Sequence, residues 1–172
     1  MKFLNADDVR KALPMSDAVD AMKATFIQLS AGDAVVPVRT HIATADGSGD
    51  ALFMPSYSAG EKKMALKVVT LFPENREKGM PFIQAVVLVF DATNGRTEAM
   101  LDGTILTALR TGAASGAATD ALALGDASVA AIFGAGVQAR TQLEAVRAVR
   151  DIKEVRIQDV VKENAAKFAE EV

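Results

Sequence analysis

Residues 133–139 read Phe-Gly-Ala-Gly-Val-Gln-Ala, a run suited to bringing backbone close to a phosphate. Gly134 permits a tight turn and Gly136 lets the chain approach a pyrophosphate. Ala139 takes the third position, where a small side chain allows helix and strand to pack. The run follows an apolar segment and opens an amphipathic one. A helix N-terminus, with free N–H groups and a partial positive charge, would then face the anion. Asp159 follows about 20 residues after the loop, at the end of a second short strand. A carboxylate there can accept hydrogen bonds from both hydroxyls of a ribose and repel a 2′-phosphate. The combination predicts dinucleotide binding, with NAD favoured over NADP. The plainer alternative is a tight turn for packing, with Asp159 as a solvated strand end.

Three cations stand where the pattern is otherwise apolar. Lys67 lies in Met-Ala-Leu-Lys-Val-Val, residues 64–69, and strand alternation puts Ala65, Lys67 and Val69 on one face. Such an ammonium either snorkels to the surface or finds a partner; desolvated near a substrate carbonyl or carboxylate, its pKa can fall. Arg110 is the sole charge between Asp102 and Asp120. A guanidinium in so tight a segment suggests a fixed bidentate anion contact, with a structural salt bridge as the alternative. Arg39, in Val-Pro-Val-Arg-Thr, reads by itself as a solvated strand residue. His41 is the only histidine and there is no cysteine, so no metal site is expected and His41 receives no role.

These groups need elements to hold them. Asn5 can cap a helix through residue 13, ended by Pro14, and Ser16 can cap a second that stops at Gly32. Val19, Met22, Phe26 and Leu29 recur at helical spacing and predict its buried stripe. From residue 35 to 101 the pattern is strand-like. Residues 35–44, 51–54, 64–71 and 82–90 are strand candidates, Asp46 to Gly49 a turn, and Asn94-Gly95 a hairpin signal. A mainly antiparallel sheet with the N-terminal helices on one face is expected. Residues 102–124 are crowded with Ala, Gly, Thr and Ser and predict a helix packed close to other backbone, with Gly125 a candidate stop. A buried strand at 128–133, a helix at 137–149, a strand at 154–158 and a helix from 164 then predict a parallel sheet. The fold class is α/β: an α+β domain, 1–115, then the first βαβ portion of a Rossmann domain, 116–172. Two strands alone leave unpaired edges and an uncovered apolar face, so the chain is expected to be a fragment or to be completed by another chain.

Composition narrows the classes of function. The 172 residues carry a net charge of −3 with interspersed signs, which argues against nucleic acid as a partner. No apolar run of about 18 residues offers a membrane span, and the start has no signal-peptide pattern. A cytoplasmic protein is expected.

The segments 65–69, 106–114 and 134–139, in this order and spacing, resemble the ornithine cyclodeaminase/mu-crystallin family, which includes archaeal alanine dehydrogenases and ketimine reductases. The Pro73-Glu74-Asn75 turn with Gly79 is also similar. The resemblance covers the whole chain and implies a homodimer with a substrate and dimerisation domain followed by an NAD(P) domain. It places Arg39, Lys67 and Arg110 at the carboxylate and carbonyl or imine of the substrate, with Lys67 the catalytic candidate. It places Arg110 and Thr111 near the cofactor, together with Gly134, Gly136, Val137, Gln138 and Asp159. The implied chemistry is NAD-dependent hydride transfer at the α-carbon of a small amino acid or cyclic imine. The alternatives are cyclisation of ornithine to proline with loss of ammonia, and binding of NAD(H) or a small ligand without turnover.

Three departures from the family pattern bear on this. Ornithine-cyclising members have an acid two positions before the Met-Pro pair, where this chain has Leu52. The family often has Ser or Thr at the position of Phe82, a cofactor contact. The family's catalytic aspartate falls beyond residue 172, so the 172 residues alone are not expected to turn over.

Overall fold

A computed structural model describes residues 1–172, which form two compact units: Met1–Ala12 with Phe26–Leu106, and Leu13–Thr25 with Thr107–Val172.

The first unit is built on a seven-stranded sheet of β1 (Lys2–Leu4), β2 (Ala34–Val35), β3 (Thr40–Ala43), β4 (Asp50–Ser58), β5 (Lys63–Leu71), β6 (Ile83–Asp91) and β7 (Thr97–Asp102). The order is β1-β7-β6-β5-β4-β2, with β3 also on β4. Every pairing is antiparallel except that of β1 with β7. The expected antiparallel sheet is therefore present, with one parallel edge strand too short to show alternation. β4 runs on through Pro55, which pairs with Leu66, so this strand is longer than residues 51–54. The predicted strand at 35–44 is two short pieces, because residues 36–39 around Pro37 leave the ladder.

Helix α1 (Ala6–Ala12) opens with the expected Asn5 cap. Asn5 Oδ1 accepts the Asp8 N–H at 2.9 Å, and Asp8 Oδ2 accepts the Asn5 N–H at 3.1 Å. The helix contacts β1 and β7, and its Val9 is buried. Helix α2 (Met15–Ala31) begins before Ser16, since Ala18 N–H already reaches the Pro14 carbonyl at 2.9 Å. Gly32, with φ of +82°, ends it as expected. Its apolar stripe is buried only at the start: Val19 is 2% exposed, whereas Phe26 and Leu29 are each 46% exposed. Residues Leu13–Thr25 group with the second unit, so α2 is divided between the two units.

The second unit contains most of α3 (Gly103–Leu122), then β8 (Val129–Phe133), α4 (Val137–Val149), β9 (Glu154–Gln158) and α5 (Lys162–Glu171). β8 and β9 pair in parallel, from Val129 with Glu154 to Phe133 with Gln158. Their inward residues Ala130, Ile132, Val155 and Ile157 pack on Ala135, Ala139, Leu143 and Phe168. The outward face is uncovered in this unit, and Phe133 is 84% exposed. β8 is thus half-buried rather than buried, because helices cover one face only. α5 starts two residues before Asn164, where Asp159 Oδ1 accepts the Val161 N–H at 2.8 Å and turns the chain.

The small residues of α3 serve close packing, as expected. A Cβ on Gly112 would lie 2.4 Å from the Thr141 carbonyl oxygen, and one on Gly116 would lie 2.7 Å from Val19 Cγ2. α3 ends at Leu122, before Gly125, and its last carbonyls are taken by Arg150. That side chain donates to the carbonyls of Thr119, Asp120, Ala123 and Leu124 at 3.0–3.1 Å.

Candidate functional site

The glycine loop sits between the end of β8 and the start of α4. Gly134 has φ of +93°, a conformation that side chains with a Cβ resist, and its N–H reaches the Gln158 carbonyl at 2.7 Å. Gly136 precedes the helix in extended backbone, with no side chain capping the first turn. The space where its Cβ would stand is open. The helix start therefore presents N–H groups and the positive end of its dipole to a clear space. A cavity of about 230 Å³ lies beside the loop, lined by Phe133, Gly134, Gly136, Gln138, Ala139 and Gln142 among others.

Asp159 is joined to this loop. Its Oδ2 accepts the Ala135 N–H at 2.6 Å and its Oδ1 accepts the Val161 N–H at 2.8 Å. The amides of Val161 and Ala135 hold its carboxyl below the usual range, so it is an anion near neutral pH. Each oxygen keeps a second lone pair. The structure thus brings Gly134, Gly136, Gln138 and Asp159 together around one loop. Val137 begins the helix and is 72% exposed.

Arg140 is a participant that the sequence pattern did not single out. Its Nη1 donates to the carbonyls of Ala135 at 2.8 Å and Gly136 at 3.2 Å. Its Nε and Nη2 grip Glu171 at 2.6 and 2.8 Å, and the guanidinium lies 4.5 Å from the Phe168 ring centre. On an amphipathic helix such an arginine reads as part of the solvated face; only the loop's fold gives it carbonyls to bind.

Two further site candidates lie on α3 of the same unit. Arg110 is exposed. Thr111 Oγ1 donates to the Thr107 carbonyl at 2.6 Å. Thr107 Oγ1 itself is buried with no hydrogen-bond partner, so this segment holds an unsatisfied polar atom.

In the first unit, Lys67 is half-buried at the middle of the sheet, paired with Met54 on one side and Val87 on the other. The same face carries Val69 and Val87, both buried. Arg39 is exposed and immediately precedes Thr40, which pairs with Phe53. Arg39 itself lies outside the ladder, among residues 36–39, so no strand pairing joins it to the row of Lys67. Leu52 pairs with Val69 and with His41, and His41 Nε2 meets Asp50 Oδ1 at 2.5 Å. Phe82 lies under Arg76, whose guanidinium is 4.8 Å from its ring centre. The turn at Pro73–Arg76 holds a buried Asn75, whose Nδ2 donates to the Pro81 carbonyl at 3.2 Å.

Known proteins are similar to this chain in sequence and in fold. A Delta(1)-pyrroline-2-carboxylate reductase of Bacillus cereus is 38% identical over 170 residues, covering 99% of this chain and 52% of that protein. The Delta(1)-pyrroline-2-carboxylate reductase of Thermococcus litoralis, solved in complex with NADH and L-proline, superimposes with a TM-score of 0.92 at 45% identity, covering 99% of this chain and 53% of that one. An archaeal alanine dehydrogenase, solved as a dimer with bound NAD, also gives a TM-score of 0.92, at 34% identity over 99% of this chain and 52% of its own. The chain spans about half the length of the curated relatives it matches. The sequence profile described as the Ornithine cyclodeaminase/mu-crystallin family matches residues 1–172, and the chain belongs to that family.

Proposed function

We propose that the chain carries the cofactor loop and the substrate cations of an NAD-dependent enzyme that transfers hydride at the α-carbon of a small amino acid or cyclic imine. The observation that carries this reading is the loop itself: Gly134 in the left-handed region, open space over Gly136, an uncapped helix start and an anionic Asp159 bonded within the loop. A dinucleotide fits that donor set. The loop at Gly134 and Gly136, with Val137 and Gln138, would hold the pyrophosphate. Asp159 would accept from the ribose hydroxyls through its remaining lone pairs, and its charge disfavours a 2′-phosphate. Arg110 and Thr111 are assigned near the cofactor. Bound nicotinamide supplies or accepts the hydride.

Lys67 and Arg39 are assigned to the substrate. A guanidinium fixes the carboxylate and so orients the α-carbon. The ammonium of Lys67, among Met54 and Val87, polarises the imine or carbonyl or activates water. Leu52 with its neighbour Val69 offers no acid for a distal ammonium. That favours a small amino acid or cyclic imine over ornithine, whose cyclisation would be a lyase reaction. The exposed apolar side chains of Ile27, Val35, Val36, Val38 and Ile42 suit burial against a second copy, and the reading takes the protein to be a cytoplasmic homodimer.

The test is a substrate-dependent change in nicotinamide absorbance. NADH with a cyclic α-imino acid, and NAD with L-proline or L-alanine, are supplied to the whole protein. Saturable oxidation or reduction of the cofactor is expected. Cofactor binding with no change for any substrate would leave a binding protein without turnover.

A further inference from the structure

We propose that Arg140 is a positioning residue for the pyrophosphate: it holds the glycine loop with its carbonyls turned inward, so that its N–H groups face the ligand. The inference rests on the loop being the dinucleotide site. Two carbonyl oxygens, those of Ala135 and Gly136, belong to the segment that must approach an anion. Either of them, rotated outward, would present negative charge to the phosphates. Both are bound by one nitrogen, Arg140 Nη1, at 2.8 and 3.2 Å. The Ala135 residue is thereby fixed at both ends, since its N–H is bound by Asp159 at 2.6 Å.

The guanidinium is not free to swing away. Glu171 takes Nε and Nη2 in a two-point grip, and Phe168, 1% exposed, supports the planar group from below. Glu171 also neutralises the charge, so the contribution of Arg140 is orientation rather than attraction of phosphate. This arrangement makes α5, through Phe168 and Glu171, part of the support of the loop. A lysine has one ammonium and lacks the planar fork, so it cannot hold Glu171 and the loop carbonyls in the same geometry.

The test compares the protein with Arg140→Gln and Arg140→Lys. NADH binding is followed by nucleotide fluorescence, adenosine binding by calorimetry, folding by circular dichroism, and exchange of the Ala135 amide by NMR. The expected result for Arg140→Gln is a loss of NADH affinity of about tenfold or more, the size of one or two lost hydrogen bonds. Adenosine, which lacks the phosphates, should bind as before, and the Ala135 amide should exchange faster without ligand. Arg140→Lys should recover little. Unchanged NADH affinity in Arg140→Gln would overturn the proposal. Equal losses of NADH and adenosine binding would also overturn it, by reducing Arg140 to a general stabiliser. If the unaltered protein fails to bind NADH, the dinucleotide reading falls and the role at a pyrophosphate falls with it. In that case the amide measurement separately decides whether Arg140 holds the loop.

Discussion

The carboxylate of Asp159 accepts the amide of Ala135 at 2.6 Å, across 24 residues of chain. The end of β9 and the loop after β8 are therefore one unit, and the residue assigned to the ribose also fixes the loop assigned to the phosphates. Asp159→Asn keeps an acceptor oxygen but removes the charge. We expect NADH affinity to fall by about tenfold, in line with losing charge-assisted bonds, and NADPH affinity to fall less or to rise. Paired titrations with the two nucleotides check this; an unchanged preference would remove Asp159 from cofactor selection.

Lys67 sits in a row with Met54 and Val87 on the strand face that also buries Val69. Lys67→Met matches that apolar row and should leave the fold and the NADH affinity unchanged. Hydride transfer by the whole protein should fall by about 100-fold or more, the usual range for loss of a general acid or base. Stopped-flow absorbance on pre-bound NADH separates the two effects. A normal rate with Met at this position would exclude Lys67 from the chemistry.

Backbone proximity in the second unit gives a stability prediction. Gly112→Ala forces a Cβ to within 2.4 Å of a carbonyl oxygen of α4. Either the helices separate or the variant unfolds, at a cost of about 1–3 kcal/mol. Chemical denaturation should show this loss. Gly125→Ala, where no atom lies within 4 Å of the added Cβ, should be near neutral.

Acid should loosen the same unit. Asp120 accepts from Lys23 Nζ at 2.7 Å and from Arg150 Nη1 at 2.8 Å. Those two cations, Lys23 foremost, hold its carboxyl below its ordinary 3.8. A carboxyl lowered on folding contributes stability that is fully present above its unfolded pKa. That contribution is lost as pH falls through the lower folded value. Unfolding midpoints of the protein and Asp120→Asn should therefore differ near neutrality and converge below about pH 4. A constant difference across that window would show that the pairing does not stabilise the folded state.

Much of this architecture was legible in the sequence. The helix at 137–149 and the strand at 154–158 have the bounds that the sequence predicts, because Gly136 marks the helix start and alternation marks the strand. The turn between β8 and α4 is legible because paired glycines between a strand and a helix mark a tight turn, and Gly134 takes the left-handed conformation there. Other features depend on tertiary partners that the sequence does not display. Phe26 and Leu29 have helical spacing but lie exposed, since periodicity gives a face without saying what covers it. Arg140 on α4 and Arg150 just after its end look like solvated charges, yet they bind loop and helix-end carbonyls that only the folded chain brings to them. Pro55 suggests a strand end, but β4 continues through it.

Gly136→Asp tests whether the loop after β8 binds NADH. The space around Gly136 is open and its φ of −80° suits any residue, so the variant should fold as the unaltered protein does. Its carboxylate would occupy the phosphate position. Saturable NADH binding by the unaltered protein and its loss in the folded variant are expected. Equal binding by both proteins would show that this loop does not hold the pyrophosphate.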